Sequence, residues 1–124
     1  MISSSELRSD LAQHYGSESF FKIHPICNPT NSSYTEGVKA FEKKAGTRWF
    51  LDIVFSELVT ANTTKNEDFL SILLRVDSGG RALITVTDGN DKKLYKREVE
   101  WCDCPQGDWP FFFSNKVLYL PSEH

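Results

Sequence analysis

Up to about position 60 apolar residues recur every three or four places, and from position 69 they alternate one for one with polar ones. The chain therefore reads as a helical half followed by a sheet half. Ser3 and Glu6 have the spacing of a capping box, in which each side chain satisfies a free backbone donor of the other. Leu7, Leu11 and Tyr15 then form one apolar stripe, which Gly16 ends. Residues 20–23 predict a short strand, and Pro25 with the polar residues 28–33 a loop. A second helix starts near Thr35 and Glu36 and turns Val38, Phe41 and Ala45 inward; it stops at Gly46, the residue type suited to a left-handed cap. Thr47 stands where it would cap a third helix over 48–59, apolar around most of its circumference as a buried helix is. Its β-branched and aromatic residues also suit a strand. Residues 60–68 are polar, with 62–66 as the loop between the halves.

In the second half, 69–76 sets Leu70, Ile72, Leu74 and Val76 on one face, and Asp77-Ser78-Gly79-Gly80 turns the chain. Residues 81–87 return with Ala82, Ile84 and Val86 on one face, and Asp88-Gly89-Asn90-Asp91 turns again. A third strand over 93–101 sets Tyr95, Arg97, Val99 and Trp101 against Lys96, Glu98 and Glu100. Turn-rich residues interrupt at 102–110; Phe111, Phe112 and Phe113, a turn at 114–116 and residues 117–120 supply the last extended pieces. The expectation is one α+β domain over 1–124, with N-terminal helices packed on one face of a C-terminal antiparallel sheet, a meander of about four strands.

Composition sharpens this picture. With 124 residues, 40% hydrophobic and 13% aromatic, the chain carries enough apolar surface for one core without staples. A net charge of −3 disfavours direct nucleic-acid binding, since such binders cluster Lys and Arg. The one basic cluster, Lys92, Lys93, Lys96 and Arg97, is offset by Asp88, Asp91, Glu98 and Glu100. The first residues lack the basic start and apolar run of a signal peptide, and no stretch approaches the ~20 apolar residues that cross a bilayer. Cytoplasmic residence and no membrane partner are expected. Three cysteines without framework spacing fit a reducing compartment.

Candidate chemistry is sparse. His24, Cys27, Cys102 and Cys104 offer an imidazole and thiolates in two close pairs, the donor set of tetrahedral zinc, although free cysteines are also simply small buried residues. No metal or other cofactor is the expectation, with that set as the alternative. The histidines at 14, 24 and 124 form no triad spacing with a nucleophile. Asp52, inside an apolar run, is either desolvated enough to move protons or paired with Arg48 one turn before it. Gly79-Gly80 joins two strands, so no phosphate-binding loop is predicted. Trp101, Trp109 and Phe111–Phe113 read as a lid over the sheet end or as a binding surface.

Tyr34-Thr35-Glu36-Gly37-Val38-Lys39, then Ala45-Gly46 and Trp49-Phe50-Leu51-Asp52-Ile53, the turn Asp88-Gly89-Asn90 and the closing Leu120-Pro121-Ser122-Glu123 together resemble the bacterial and prophage domain family of unknown function DUF6876. The resemblance implies a small stand-alone domain of mobile elements with no established activity; Cys102-Asp103-Cys104 departs from its pattern. The function expected is that of a non-catalytic, acidic protein-binding module, an inhibitor of a host defence protein of the anti-CRISPR kind. Its candidate contact residues are Tyr34, Glu36, Lys39, Trp49 and Asp52 in the first half, and Trp101, Asp103, Asp108 and Trp109 in the second. The alternative is a ligand-binding domain or enzyme with a pocket around Tyr34, Lys39, Trp49 and Asp52. Partner identity and oligomeric state stay open at this level.

Overall fold

The computed structural model describes residues 3–11, 20–25, 28–90 and 92–123. Helix α1 (Ser4–Leu11) is followed by strands β1 (Phe20–Phe21) and β2 (Ser33–Thr35), then by helices α2 (Glu36–Ala45) and α3 (Arg48–Ile53). A π-helical turn, Val54–Leu58, continues α3. Strands β3 (Phe69–Val76), β4 (Ala82–Thr87), β5 (Lys93–Val99), β6 (Gly107–Ser114) and β7 (Val117–Tyr119) follow, and a 3-10 turn, Pro121–Glu123, comes last. The fold is α+β. No helix among the described residues is long and apolar enough to cross a membrane.

Local signals set most of the elements. The Ser3 hydroxyl accepts a hydrogen bond from the Glu6 amide at 3.2 Å, starting α1. Tyr15 and Gly16, which the sequence pattern places in the same helix, lie outside the described residues. The Thr35 hydroxyl accepts from the Val38 amide and starts α2, and Gly46 at φ +66° ends it, as the left-handed region asks of glycine. Thr47 does not cap α3. Its hydroxyl makes no capping bond and is buried without a partner, because Gly46 closes α2 immediately before it and the side chain turns into the core.

The strands form one mixed seven-stranded sheet in the order β1-β2-β7-β6-β3-β4-β5, with β2 and β7 parallel and every other neighbouring pair antiparallel. Two finer expectations give way here. The run β3-β4-β5 is a meander, but the chain does not add a fourth strand beside β5; it crosses to the far side of β3, where β6 pairs. That crossing puts Trp109 and Phe111 next to Leu74 and Ile72 and beneath Phe41 and Phe50 of the helices, whereas a strand outside the charged β5 would leave them uncovered. Nor is the sheet the work of the second half alone: β1 and β2 form its far edge, so the N-terminal half is strand as well as helix rather than a helical roof on a C-terminal sheet.

Register defines the core face. Leu70, Ile72, Leu74 and Val76 stand opposite Phe113, Phe111, Trp109 and Gly107, and Ile84 and Val86 continue the layer on β4. Phe41 meets Phe111 edge-on at 5.0 Å between ring centres, Phe50 meets it at 4.9 Å, and Phe55 reaches Tyr34 and Phe113 at 6.2 and 6.4 Å. The expected aromatic lid is therefore divided by strand alternation. Trp109 and Phe111 are buried, while Phe112 faces the other side between Phe69 and Tyr119, at 5.0 and 5.8 Å.

Candidate functional site

Trp101 is the most exposed large apolar residue among those described, at 66% of its full accessibility. Its position is built by the β3–β4 hairpin. The Asp77 carboxylate accepts from the amides of Gly79 and Arg81 at 2.8 and 2.9 Å and so shapes the turn. Gly80, at φ +85°, then lets the chain after β5 lie directly on it: the Cys102 amide donates to the Gly80 carbonyl at 2.9 Å, and a side chain at Gly80 would meet the Trp101 ring at 3.1 Å. The indole thus rests on backbone and points to solvent. Beside it lies an open groove of about 810 Å³ whose charged lining is Arg75, Arg81, Asp77, Glu98 and Glu100, with Leu83 and Val99 between them. Asp108 holds Arg75 at 3.1 Å, fixing one of its two cations.

The other candidate residues are dispersed. Tyr34 is buried on β2, where burial raises its phenol above the ordinary value. Lys39 places its ammonium 3.8 Å from the centre of the Phe21 ring. Glu36 is exposed in the first turn of α2, Asp103 is exposed after β5, and Trp49 is half-buried against Phe50. Asp52 takes the plainer of its two readings, pairing with Arg48 one turn earlier at 3.6 Å. Trp109 is a core residue, 2% exposed, with its indole N–H donated to the Pro105 carbonyl and Arg8 stacked over the ring. None of Tyr34, Lys39, Trp49 and Asp52 lines the Trp101 groove.

Among the described residues no three His, Cys, Asp or Glu side chains gather as metal ligands would. His24 is exposed, Cys102 and Cys104 are buried free thiols, and Cys27 lies outside the described residues. Burial raises both thiols, Cys104 to about 12, which opposes the thiolate form.

Two segments that carry the family resemblance, 34–39 and 120–123, meet in space. The Glu123 carboxylate accepts from the Thr35 hydroxyl at 2.6 Å, from the Leu120 amide at 3.0 Å and from the Gly37 amide at 3.3 Å, so the C-terminal turn clasps the start of α2. Gly37 leaves room for this clasp, because a β-carbon would stand 2.6 Å from both Glu123 Oε1 and Leu120 Cδ1, and these side-chain ends would have to shift. The model of one family, described as a family of unknown function (DUF6876), matches residues 5–124. The chain belongs to DUF6876. No curated protein and no solved structure matches it. In this DUF6876 chain Thr35 and Gly37 of the first segment and Glu123 of the second thus tie the start of α2 to the end of the sheet.

A second polar cluster was missed by sequence reasoning. Glu57, in the π-helical turn, accepts from the Tyr95 hydroxyl at 2.9 Å and pairs with Arg97, tying the turn to β5. The hydrogen bond to Glu57 favours the protonated phenol and raises Tyr95 above its ordinary value. A signal was present: Arg97 shares the side of β5 that carries Tyr95 and Val99, and a charge facing the apolar layer needs a partner.

Proposed function

We propose that this DUF6876 protein acts by binding another protein, without catalysis, through the groove beside Trp101. The observation that carries the reading is an indole two-thirds exposed yet seated on a turn that only glycine permits. Trp and Arg dominate the few residues that hold most of an interface's energy. Arg75 and Arg81 beside Asp77, Glu98 and Glu100 ask for a partner surface carrying both signs around an apolar slot.

The net charge of −3 and the mobile-element setting implied by the family resemblance extend the proposal to a cytoplasmic, stoichiometric inhibitor of a host defence protein, of the anti-CRISPR kind. An acidic domain suits the basic grooves in which such proteins hold nucleic acid. The test is capture of host proteins on immobilised wild-type chain and on Trp101→Ala, followed by measured affinity for whatever only the wild type retains. Loss of roughly 30-fold or more, the ~2 kcal/mol of a central aromatic contact, supports the reading. A partner held equally by both forms, or no partner at all, removes it. For the defence role, expression in a CRISPR-immune host should restore phage plaques; unchanged immunity refutes that extension.

A further inference from the structure

We propose that β5 is a self-recognition edge, through which two copies of this chain join their sheets antiparallel about a twofold axis at Arg97. β5 is the last strand of the sheet, and among the described residues nothing pairs with its outer side. Such an edge presents unpaired amides and carbonyls that template a further strand unless its side chains forbid one.

The side chains of β5 select rather than forbid. The strand reads Lys93-Leu94-Tyr95-Lys96-Arg97-Glu98-Val99, positive toward its start and negative toward its end. A second copy running the opposite way brings unlike ends together. With the axis at Arg97, Lys96 of each copy lies across from Glu98 of the other on the face turned away from the core, and Tyr95 lies across from Val99 on the side of the core. Lys96, Arg97 and Glu98 are exposed, Tyr95 and Val99 half-buried, so the outer pairs are of unlike charge, and on the core side two Tyr95–Val99 pairs flank a central pair of Arg97 residues. The two Arg97 guanidinium groups that meet at the axis are each already bound to Glu57 of their own chain.

Neighbouring registers oppose like charges at the axis that, unlike Arg97, have no salt-bridge partner among the described residues. An axis at Lys96 opposes two ammonium groups and sets Leu94 across from Glu98; an axis at Glu98 opposes two carboxylates and runs the ladder past the bend at Glu100. The same bend leaves Trp101 outside the ladder, although Glu98 and Val99 belong both to the ladder and to the groove lining, so Trp101 is the residue that separates the two readings.

Sedimentation of the full chain over a range of concentrations tests it. Wild type is expected to show a reversible monomer–dimer equilibrium that weakens as salt is raised. Lys96→Glu alone and Glu98→Lys alone should each weaken self-association at least tenfold. The double variant Lys96→Glu/Glu98→Lys should restore it, and an equimolar mixture of the two single variants should form heterodimers. Trp101→Ala should dimerise as wild type does. A wild type that stays monomeric at every concentration, a dimer indifferent to the single swaps, a double swap that restores nothing, or a dimer lost in Trp101→Ala overturns the proposal. Unchanged far-ultraviolet dichroism of each variant separates lost association from lost folding.

Discussion

The Thr47 hydroxyl is the one buried side-chain oxygen or nitrogen among the described residues that finds no partner. Burying such a group unpaired costs about 1–3 kcal/mol, and its capping role is not realised. Thr47→Val keeps the shape and removes the group, so a gain of about 1 kcal/mol is expected in urea denaturation. A loss instead would show that the hydroxyl has an unrecognised acceptor. At the same scale, burial pushes the Cys104 thiol up to about 12. Between about pH 9 and 12 the unfolded chain has released a proton that the folded chain keeps, so the folded state loses stability as pH rises through that window and is unaffected below it. The urea midpoint should fall between about pH 9 and 11 and fall less in Cys104→Ala; equal slopes would remove the thiol from the account. The spacing of Cys102 and Cys104 is legible in the sequence. Their burial is not, because it arises where the chain crosses from β5 to β6.

Helix α2 shows how far an element depends on distant residues. Its cap at Thr35, its apolar side at Val38, Phe41 and Ala45, and its stop at Gly46 are all local, and the sequence announces each of them. The anchor at Glu123 is not local, and the same carboxylate holds Thr35, Gly37 and Leu120. Glu123→Ala should cost about 1–3 kcal/mol, the range for breaking such bonds to a charged group. Gly37→Ala should cost less than that, since the added carbon displaces only the side-chain ends of Glu123 and Leu120 and alanine favours the helix by about 1 kcal/mol. Denaturation of both variants measures this, and an unaffected Glu123→Ala would mean the C-terminal turn is not docked. The apolar run over 48–59 predicts a helix but not its change of pitch. The Val59 amide reaches back to the Val54 carbonyl at 3.1 Å, with Ser56 and Thr60 hydroxyls donating to carbonyls one turn earlier. The extra residue in that turn accompanies the reach of Glu57 to Tyr95 and Arg97. The sequence pattern starts the corresponding strand only at Phe111, because Pro110 reads as a break, whereas β6 begins at Gly107. Proline is tolerated there since β7 pairs only with Phe112 to Ser114, leaving the other side of Pro110 without a ladder bond to make.

At the scale of the molecule, the outer side of β5 and the sheet face that carries Phe69, Phe112 and Tyr119 have no described layer over them. The groove of Trp101 lies at the corner where that face meets β5 and shares Glu98 and Val99 with the proposed ladder, so Trp101→Ala reports on partner binding and Lys96→Glu on self-association, while Glu98→Lys touches both. Periodicity and turn chemistry by themselves determined β3, β4, β5, the two hairpins between them, α2 and the α+β class, because each is specified by residues within a few positions of one another. Only the tertiary structure decided that the chain passes β5 to lie beside β3, that two- and three-residue strands from the first half close the far edge, and that Trp101 stands exposed while Trp109 is buried. Those outcomes turn on which apolar surfaces find cover from one another, a property of the assembled layers that no local run of residues contains.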